Sequence, residues 1–313
     1  MKLRITGSIF ALLMLLMLVS SASAQVQRTF VSGLGSDSNP CTRIAPCRTF
    51  GQALMGTSAG GEVVVLDSAG YGTFTITRAV SITAPPGVYA GISVFGLSDG
   101  IDINAGASDT VILRGLTINS QGSTGSGIVF TAGGTLHIEN CVVNGFSGST
   151  TSSGVSFNGA GNLEVKDSII RGNLIGIFVH PLSGTAVAAI DQVRLETNSE
   201  PGLAVREGSR VTVRNSIASR NLDGFAAISA TSADAELNIE NCVASNNEGG
   251  ILAESFGTGA VTVRVSNSTV TGNTSFGLEN STGSPAVILS RGNNTVEGNT
   301  TNTVGTIGSY TAK

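Results

Sequence analysis

Four polar residues that could take part in binding or catalysis occupy the same place in repeated segments of the chain. Asn158, His180, Arg206 and Glu254 each lie four residues after a glycine that precedes an apolar residue. A neutral histidine beside an arginine can act as a general base, so His180 and Arg206 are candidate catalytic residues. We expect Glu254 to assist them and Asn158 to contact a substrate. Ile228 interrupts the row between Arg206 and Glu254. An ordinary solvated sheet face remains the competing interpretation.

Other catalytic and metal-binding patterns are weak. The two histidines, His137 and His180, lie in well-separated segments, which disfavours a zinc site. Acidic residues are scattered, whereas glycoside hydrolysis needs a closely spaced carboxylate pair. We therefore expect no metal site and no cofactor, although calcium bound by Asp and Asn turn residues stays open.

An internal repeat indicates the elements that position these residues. Glycine–apolar pairs recur at intervals of 27, 27, 22, 26, 22, 26 and 27 residues. The glycines are Gly100, Gly127, Gly154, Gly176, Gly202, Gly224, Gly250 and Gly277. Short strands cannot bury a core alone, but units stacked at ~4.8 Å can pair their backbones with the units above and below. The repeat predicts an all-β solenoid in which Asn158, His180 and Arg206 lie about one coil apart.

Two further rows of polar residues accompany the repeat. The first marks a corner after each second strand and comprises Asn140, Asp167, Gln192, Asn215, Asn241 and Asn267. The second precedes most of the glycines and comprises Asn173, Asn198, Asn221, Asn247, Asn273 and Asn299. Asparagine tolerates left-handed backbone, and stacked asparagines can hydrogen-bond along a ladder. We expect tight corners and a side-chain ladder.

The composition supports β structure and restricts the partners. The 313 residues include 42 Gly, no Trp and 3 Tyr, with a formal net charge of −4. The scarcity of Trp and Tyr argues against an ordinary sugar-stacking cleft. Because no cluster of Lys and Arg occurs, we expect neither nucleic acid nor an anionic membrane surface as a partner.

Residues 1–24 have the features of a secretory signal peptide. Lys2 and Arg4 precede an apolar run over residues 9–19, and an Ala-Ser-Ala sequence ends at Ala24. The apolar run is short for a bilayer span of ~20 residues. We expect cleavage after Ala24 and a secreted or periplasmic mature protein without a membrane span.

The four cysteines divide into two kinds. Cys41 and Cys47 follow a polar loop with five residues between them, which predicts a local disulfide in an exported protein. Cys141 and Cys242 share one repeat position four coils apart. Four coils span about 19 Å, beyond the ~7 Å limit for a disulfide, so we expect two buried free thiols.

Over residues 28–305 the chain resembles right-handed parallel β-helix proteins of the pectate-lyase-like superfamily. The resemblance rests on the glycine–apolar coil starts, the Asn corners and three N-terminal segments, Phe30–Pro40, Ala45–Phe50 and Gly61–Val65. It implies a right-handed single-stranded parallel β-helix (a β-solenoid) with a short N-terminal capping helix. The helix is expected over Arg48–Met55, with Phe50, Ala53 and Leu54 on one face. The resemblance also implies that an active site would lie on an outward strand face.

These features predict a division of the chain and a function. We expect a signal peptide (residues 1–24), a cap with the local disulfide (25–60), the parallel β-helix (61–301) and a C-terminal tail or cap (302–313). The favoured function is a secreted scaffold for extracellular binding, with a polysaccharide or another extracellular surface as partner. The alternative is a carbohydrate-active lyase, hydrolase or epimerase, although the Gly-His-Gly, Asn-Thr-Asp and Asp-Pro-His motifs of such enzymes are missing.

Overall fold

The computed structural model describes residues 25–281 and 285–311. The predicted signal peptide, residues 1–24, lies outside the described residues. Within them the chain forms a right-handed parallel β-solenoid with one short helix near its N-terminus. The predicted fold class is confirmed.

The strands are short and recur in a regular order along the described chain. The first sixteen are β1 (Val26–Val31), β2 (Thr57–Val65), β3 (Ala69–Gly70), β4 (Phe74–Ile76), β5 (Val80–Thr83), β6 (Ala90–Val94), β7 (Ile101–Asn104), β8 (Thr110–Arg114), β9 (Leu116–Ser120), β10 (Ile128–Ala132), β11 (Thr135–Glu139), β12 (Val142–Asn144), β13 (Ser153–Phe157), β14 (Gly161–Lys166), β15 (Ile169–Arg171) and β16 (Ile175–Val179). The others are β17 (Ala186–Asp191), β18 (Arg194–Glu196), β19 (Leu203–Arg206), β20 (Ser209–Arg214), β21 (Ile217–Ser219), β22 (Asp223–Ser229), β23 (Ala235–Glu240), β24 (Val243–Ser245), β25 (Gly249–Ser255), β26 (Val261–Ser266), β27 (Thr269–Thr271), β28 (Phe276–Asn280), β29 (Ala286–Ser290), β30 (Thr295–Glu297), β31 (Thr301–Val304) and β32 (Ile307–Ser309).

These strands assemble into three sheets, which we call A, B and C. In the described residues, sheet A has twelve strands, from β1 and β2 to β32, while sheet B (β3 to β30) and sheet C (β4 to β31) have ten each. A complete coil passes through sheets B, C and A, as β9, β10 and β11 do. Each strand pairs in parallel with its equivalents in the neighbouring coils, so that Ile128 pairs with both Ile101 and Val155.

The inward side chains of the three sheets fill the solenoid. On β16, Ile177 and Val179 are fully buried, whereas Phe178 on the same strand is partly exposed. Phe130 and Phe157, on neighbouring strands, stack with ring centroids 4.2 Å apart. Inward and outward residues therefore alternate along β16.

The polar corners lie where the chain passes from sheet A to sheet B. All six have left-handed backbone, with φ between 49° and 57°: Asn140, Asp167, Gln192, Asn215, Asn241 and Asn267. Asparagine accepts this conformation more readily than most residues with a side chain, which explains its repeated use. The predicted tight corners are confirmed.

The second asparagine row forms a hydrogen-bonded ladder between sheets B and C. The side-chain amide of Asn198 donates to Oδ1 of Asn221 at 2.9 Å, and that of Asn221 donates to Oδ1 of Asn247 at 3.1 Å. The backbone N–H of Asn198 also donates to Oδ1 of Asn221, at 3.0 Å. These side chains are buried, so the ladder satisfies polar groups that water cannot reach.

The N-terminal end of the solenoid is covered by helix α1 (Phe50–Gly56). The helix begins two residues after its predicted start because Thr49 is extended and its side chain caps the helix by accepting from the backbone N–H of Gln52. The buried face consists of the three predicted residues, Phe50, Ala53 and Leu54. The ring of Phe50 packs on Phe74 in the first coil, with centroids 4.8 Å apart.

The cysteines occupy the predicted states. Cys41 and Cys47 form a disulfide beside the helix, and Cys141 and Cys242 are free and buried. The backbone N–H of Cys141 donates to the hydroxyl of Ser168 in the next coil at 3.1 Å. The two thiols therefore lie within the stacked interior.

The C-terminal strands continue the solenoid pairing, since Ile307 of β32 pairs with Ile288 of β29. No helix in residues 25–281 and 285–311 is long and apolar enough to cross a membrane.

Candidate functional site

The outward face of sheet C carries the polar row that the repeat predicts. His180 directly follows β16, Arg206 ends β19, and these two strands pair. Asn158 follows β13, which pairs with the other side of β16. Arg206 pairs with Ile228, which in turn pairs with Glu254. The fold thus brings Asn158, His180 and Arg206 onto consecutive strands but leaves Glu254 two strands from Arg206.

A carboxylate outside the predicted row completes this group. Oε1 of Glu207 lies 3.9 Å from Nε2 of His180, and Oε2 lies 3.2 Å from Nε of Arg206. The side chains of His180, Arg206 and Glu207 are 28%, 25% and 11% exposed. We call these three residues the His180 cluster.

Unequal connections between sheets C and A place this cluster in a notch. The connection between β19 and β20 has only two residues, Glu207 and Gly208. The connection one coil before has six residues (180–185), and the connection one coil after has five (230–234). Because the short connection lies between two longer ones, the surface is recessed at Glu207.

Gly208 forms the floor of the notch. Its φ is 77°, and a Cβ at this position would lie 3.2 Å from both the Gly184 carbonyl oxygen and Cγ of Pro181. Both the backbone conformation and the close approach of the preceding coil favour glycine here. A side chain at this position would narrow the recess.

The notch opens on both sides of the connections, and Gly184, Gly208 and Ala233 line both openings. Towards sheet C lies an open pocket of ≈ 300 Å³, which includes His180, Leu182, Glu207 and Thr231. Towards sheet A lies a pocket of ≈ 340 Å³, which includes Arg210, Asp234, Glu236 and Thr262. We call the two pockets and their shared floor the sheet-edge notch.

Burial and charge set the protonation states in the His180 cluster. Burial lowers the pKa of His180 below 6.5; Glu207 opposes this shift, and Arg206 adds to it. Burial alone would raise the pKa of Glu207, but backbone hydrogen bonds at Glu207 and Ala230 and the Arg206 guanidinium outweigh it, so the pKa is lowered. At neutral pH the cluster therefore presents a neutral imidazole beside a paired carboxylate and guanidinium.

A second group of titratable residues lies at the other edge of sheet C, where β22 begins. Asp223 is only 8% exposed. Burial raises its pKa to about 6, and the carboxylates of four glutamates add to the shift: Glu248, Glu279, Glu200 and Glu254. Burial and Glu254 also raise the pKa of Glu279. We call Asp223 and these four glutamates the Asp223 cluster, within which Glu254 lies towards the far end of β25, paired with Ile228, and not beside Asp223.

A known protein family matches the repeated coils of this chain. The family described as "Right handed beta helix region" matches residues 99–301, more than half of the chain. This chain belongs to that right-handed β-helix family. No curated protein matches it by sequence.

Two solved structures are similar to this β-helix protein. The first is pectate lyase Pel9A, with a TM-score of 0.67 and 18% sequence identity over 91% of this chain and 80% of that chain. The second is a rhamnogalacturonan lyase, with a TM-score of 0.51 and 15% identity over 85% of this chain and 73% of that chain. At these identities the similarity shows the shared fold alone.

The side chains of the His180 cluster and the Asp223 cluster can form hydrogen bonds and transfer protons. His180 can accept a proton or a hydrogen bond, and Asp223 can donate a proton near pH 6. Within residues 25–281 and 285–311, no group of three or more His, Cys, Asp or Glu side chains is placed to hold a metal ion. The catalytic roles predicted for His180, Arg206 and Glu254 and the substrate contact of Asn158 stay predictions.

The second histidine of this β-helix protein is remote from these groups. His137 lies on β11 in sheet A, and its Nδ1 is 3.0 Å from Oε2 of Glu164 on the paired strand β14. It is therefore a suitable reference for experiments on His180.

Proposed function

We propose that this β-helix protein is an exported carbohydrate-binding scaffold that holds a polysaccharide against sheet C and the sheet-edge notch. The observation that supports the proposal most directly is the recessed His180 cluster, in which His180 and Glu207 line an open pocket and Arg206 is paired with Glu207. A guanidinium offers several donors, a carboxylate offers acceptors, and a neutral imidazole offers one of each. Such a set suits the hydroxyl groups of a sugar.

The shape of the surface supports a polymeric ligand. Asn158, His180 and Arg206 lie on consecutive strands, which are ~4.8 Å apart in a sheet, so they form a polar strip along the solenoid. The notch adds a recess beside this strip. The similar structures are named as a pectate lyase and a rhamnogalacturonan lyase, and their shared fold supports a carbohydrate ligand.

Export is supported by the disulfide between Cys41 and Cys47, because disulfides persist in oxidising compartments. The N-terminal pattern of residues 1–24 agrees with this destination. We therefore infer a periplasmic or extracellular site of action.

A binding assay with two histidine variants tests the proposal. Wild-type protein is titrated calorimetrically with a panel of neutral, acidic and amino-sugar oligosaccharides. We expect His180→Ala to weaken binding of the retained glycan at least tenfold, because it removes a side chain from the notch. His137→Ala, on sheet A, should bind as wild type does. Equal affinities for all three proteins, or no binding to any glycan, would contradict the proposal.

The second candidate is a carbohydrate-active enzyme, which the Asp223 cluster favours. A carboxyl group with a raised pKa beside ionised carboxylates is the arrangement that glycosidases use to separate acid and base roles. The same glycan panel is assayed for new reducing ends and unsaturated products. Release of products by wild type but not by Asp223→Asn would establish this function in place of the scaffold.

A further inference from the structure

Tyr89 is an aromatic residue that is fixed on the outer surface of sheet B and remains 48% exposed. Its backbone N–H donates to the hydroxyl of Ser68 at 2.9 Å, and its carbonyl accepts from the backbone N–H of Ala69 at 3.0 Å. Its own hydroxyl accepts from the side-chain amide of Asn119 at 3.0 Å. Both ends of the residue are therefore held in place while much of its surface is open to solvent.

Gly91 allows the ring of Tyr89 to lie against the sheet. The glycine occupies an outward position of β6, between the inward residues Ala90 and Ile92, and it is nevertheless buried. A Cβ at Gly91 would lie 2.6 Å from Cε1 of Tyr89 and 2.9 Å from both Cζ and Oη. Because real side chains do not approach so closely, any larger residue here would push the ring away from the strand. The glycine thus sets the position of the exposed ring.

Two rows of outward side chains continue the surface beside the ring. Thr117 of β9 pairs with the glycine beneath the ring and also with Val142 of β12. Two residues further along the same strands, Asn119 pairs with Asn144. All four side chains are partly exposed. A row with methyl groups therefore runs beside a row of amides, and we call Tyr89 and these four residues the Tyr89 strip.

A chain of hydrogen bonds follows the amide row and ends at the ring. The side-chain amide of Asn144 donates to Oδ1 of Asn119, and that of Asn119 donates to Oη of Tyr89. Since the Tyr89 hydroxyl accepts this bond, its own hydrogen is available to another acceptor. Oδ1 of Asn144 accepts no hydrogen bond from residues 25–281 and 285–311. The strip thus presents a positioned donor and a positioned acceptor beside an exposed ring.

The residue types of the strip favour an uncharged ligand. None of its five side chains is a charged type, and Arg171 lies one strand further on, paired with Asn144. The face of an aromatic ring is negative and attracts weakly positive C–H groups, whereas amides and hydroxyls bond to hydroxyl groups. A pyranose sugar has an apolar C–H face with hydroxyl groups around its rim. Charge and shape therefore complement a neutral sugar.

We propose that the Tyr89 strip binds an uncharged polysaccharide, with one sugar ring stacked on Tyr89 and the chain continuing over Thr117 and Val142. Strands β6, β9 and β12 are neighbours in sheet B, and at ~4.8 Å per strand they extend over about 10 Å. The strip therefore contacts a short stretch of the polymer. This site lies on a different sheet from the His180 cluster, and the inference does not depend on the function proposed for sheet C.

Tyrosine emission gives a direct readout of this site, because the protein has no Trp and only three Tyr. Oligomers of β-1,4-linked glucose, xylose and mannose are titrated into the full chain, and heat and tyrosine emission are recorded together. We expect a neutral oligomer to bind and to change the emission. Tyr89→Ala should weaken this binding by about tenfold or more, whereas Tyr89→Phe, which keeps the ring, should weaken it roughly threefold. No binding of any neutral oligomer, or unchanged affinity in Tyr89→Ala, would overturn the inference.

Two glycines on paired strands provide matched variants. Gly91→Ala places a methyl group where the ring of Tyr89 lies and should weaken binding as Tyr89→Ala does. Gly70 pairs with Gly91, but the nearest atom outside its chain neighbours would be 4.0 Å from an added Cβ. Gly70→Ala should therefore bind as wild type does. Equal losses in the two glycine variants would contradict the site, and Tyr89→Ala decides the matter if Gly91→Ala does not fold.

Variants on the two sheets separate this site from the one proposed on sheet C. The change in tyrosine emission on adding the neutral oligomer should persist in His180→Ala and disappear in Tyr89→Ala. If His180→Ala abolishes all glycan binding and Tyr89→Ala has no effect, the sheet C function stands and the present inference fails. If only Tyr89→Ala weakens binding, the inference stands and the sheet C proposal fails.

Discussion

Glu207 and His180 lie 27 positions apart in the sequence, yet Oε1 of Glu207 is 3.9 Å from Nε2 of His180. The parallel pairing of β16 and β19 brings the ends of these strands together. The two-residue connection after β19 then directs Glu207 towards the imidazole rather than into a longer loop. This contact is the centre of the proposed binding surface, and it partly offsets the burial that lowers the pKa of His180.

Glu207→Gln should lower the pKa of His180 further. The Glu207 carboxylate favours the protonated imidazole, whereas burial and Arg206 disfavour it, so removing the carboxylate leaves only the lowering influences. The protein contains two histidines, which makes an NMR titration of their ring protons simple to assign. His137→Ala identifies the His180 signal, because it removes the other histidine. A rise in the pKa of His180 would contradict the geometry of the cluster.

Asp223→Asn should stabilise the protein at neutral pH. The folded-state pKa of Asp223 is about 6, above its ordinary 3.8, so the folded protein binds more protons than the unfolded chain between these values. The wild-type free energy of unfolding therefore falls as pH rises through this window and stays lower above it. A two-unit shift corresponds to roughly 3 kcal/mol, and because the amide of Asn also lacks a partner, we expect a gain of about 1–3 kcal/mol.

Urea unfolding at several pH values measures this difference. The gain of Asp223→Asn should be largest above pH 7 and should shrink as the pH falls below 6. Below the ordinary pKa of 3.8 the wild-type carboxyl becomes protonated in the unfolded chain as well as in the folded protein, and the charge-dependent gain is lost. Glu240→Gln on sheet A serves as the charge-matched control, without this pH-dependent gain. If the difference in the free energy of unfolding between Asp223→Asn and wild type does not change with pH, Asp223 is not buried among carboxylates.

Asn221→Ala should destabilise the solenoid by about 2–4 kcal/mol, because it removes several buried hydrogen bonds at once. Oδ1 of Asn221 accepts from Asn198, and its amide donates to Asn247 and to the carbonyl of Leu195. Denaturant unfolding of the variant measures the loss. Asn162→Ala, at an exposed position on β14, should change the free energy of unfolding by less than about 0.5 kcal/mol. Similar losses for both variants would argue against the ladder.

Cys141 and Cys242 should be unreactive in the folded protein. Burial raises the pKa of each thiol to about 11, and the thiolate is the reactive form. Titration with a thiol reagent should detect almost no thiol in the native protein, two per chain after unfolding without reductant, and four after reduction. Detection of four thiols without reductant would contradict the disulfide between Cys41 and Cys47.

The solenoid is predictable from the sequence because its elements are local and repeated. Each coil needs an apolar inward side, a residue that tolerates left-handed backbone at the corner, and a regular length. Residue patterns that meet these requirements are visible in the sequence. They are the glycine–apolar pairs, corner residues such as Asn215 and ladder residues such as Asn221. Once one coil is recognised, parallel pairing fixes the neighbours of each strand, so the repeat alone puts Asn158, His180 and Arg206 on consecutive coils.

Weaker sequence signals mark Glu207 and the Asp223 cluster, which do not belong to the predicted polar row. Glu200 and Glu248 each lie two residues before a coil-start glycine, and Asp223 lies one residue before Gly224. An acidic residue thus precedes the glycine in three consecutive coils, at the same edge of the repeat. The two-residue length of the connection containing Glu207 could similarly have been recognised from strand limits.

What the sequence determined by itself was the coil, its register and the direction in which most side chains point. The tertiary structure alone decided which charges meet. The connections of neighbouring coils differ in length, so Glu207 reaches His180 while Glu254 stays two strands from Arg206. Likewise, Asp223 acquires its unusual acidity from burial and from glutamates on other coils, and neither influence is a property of its local sequence.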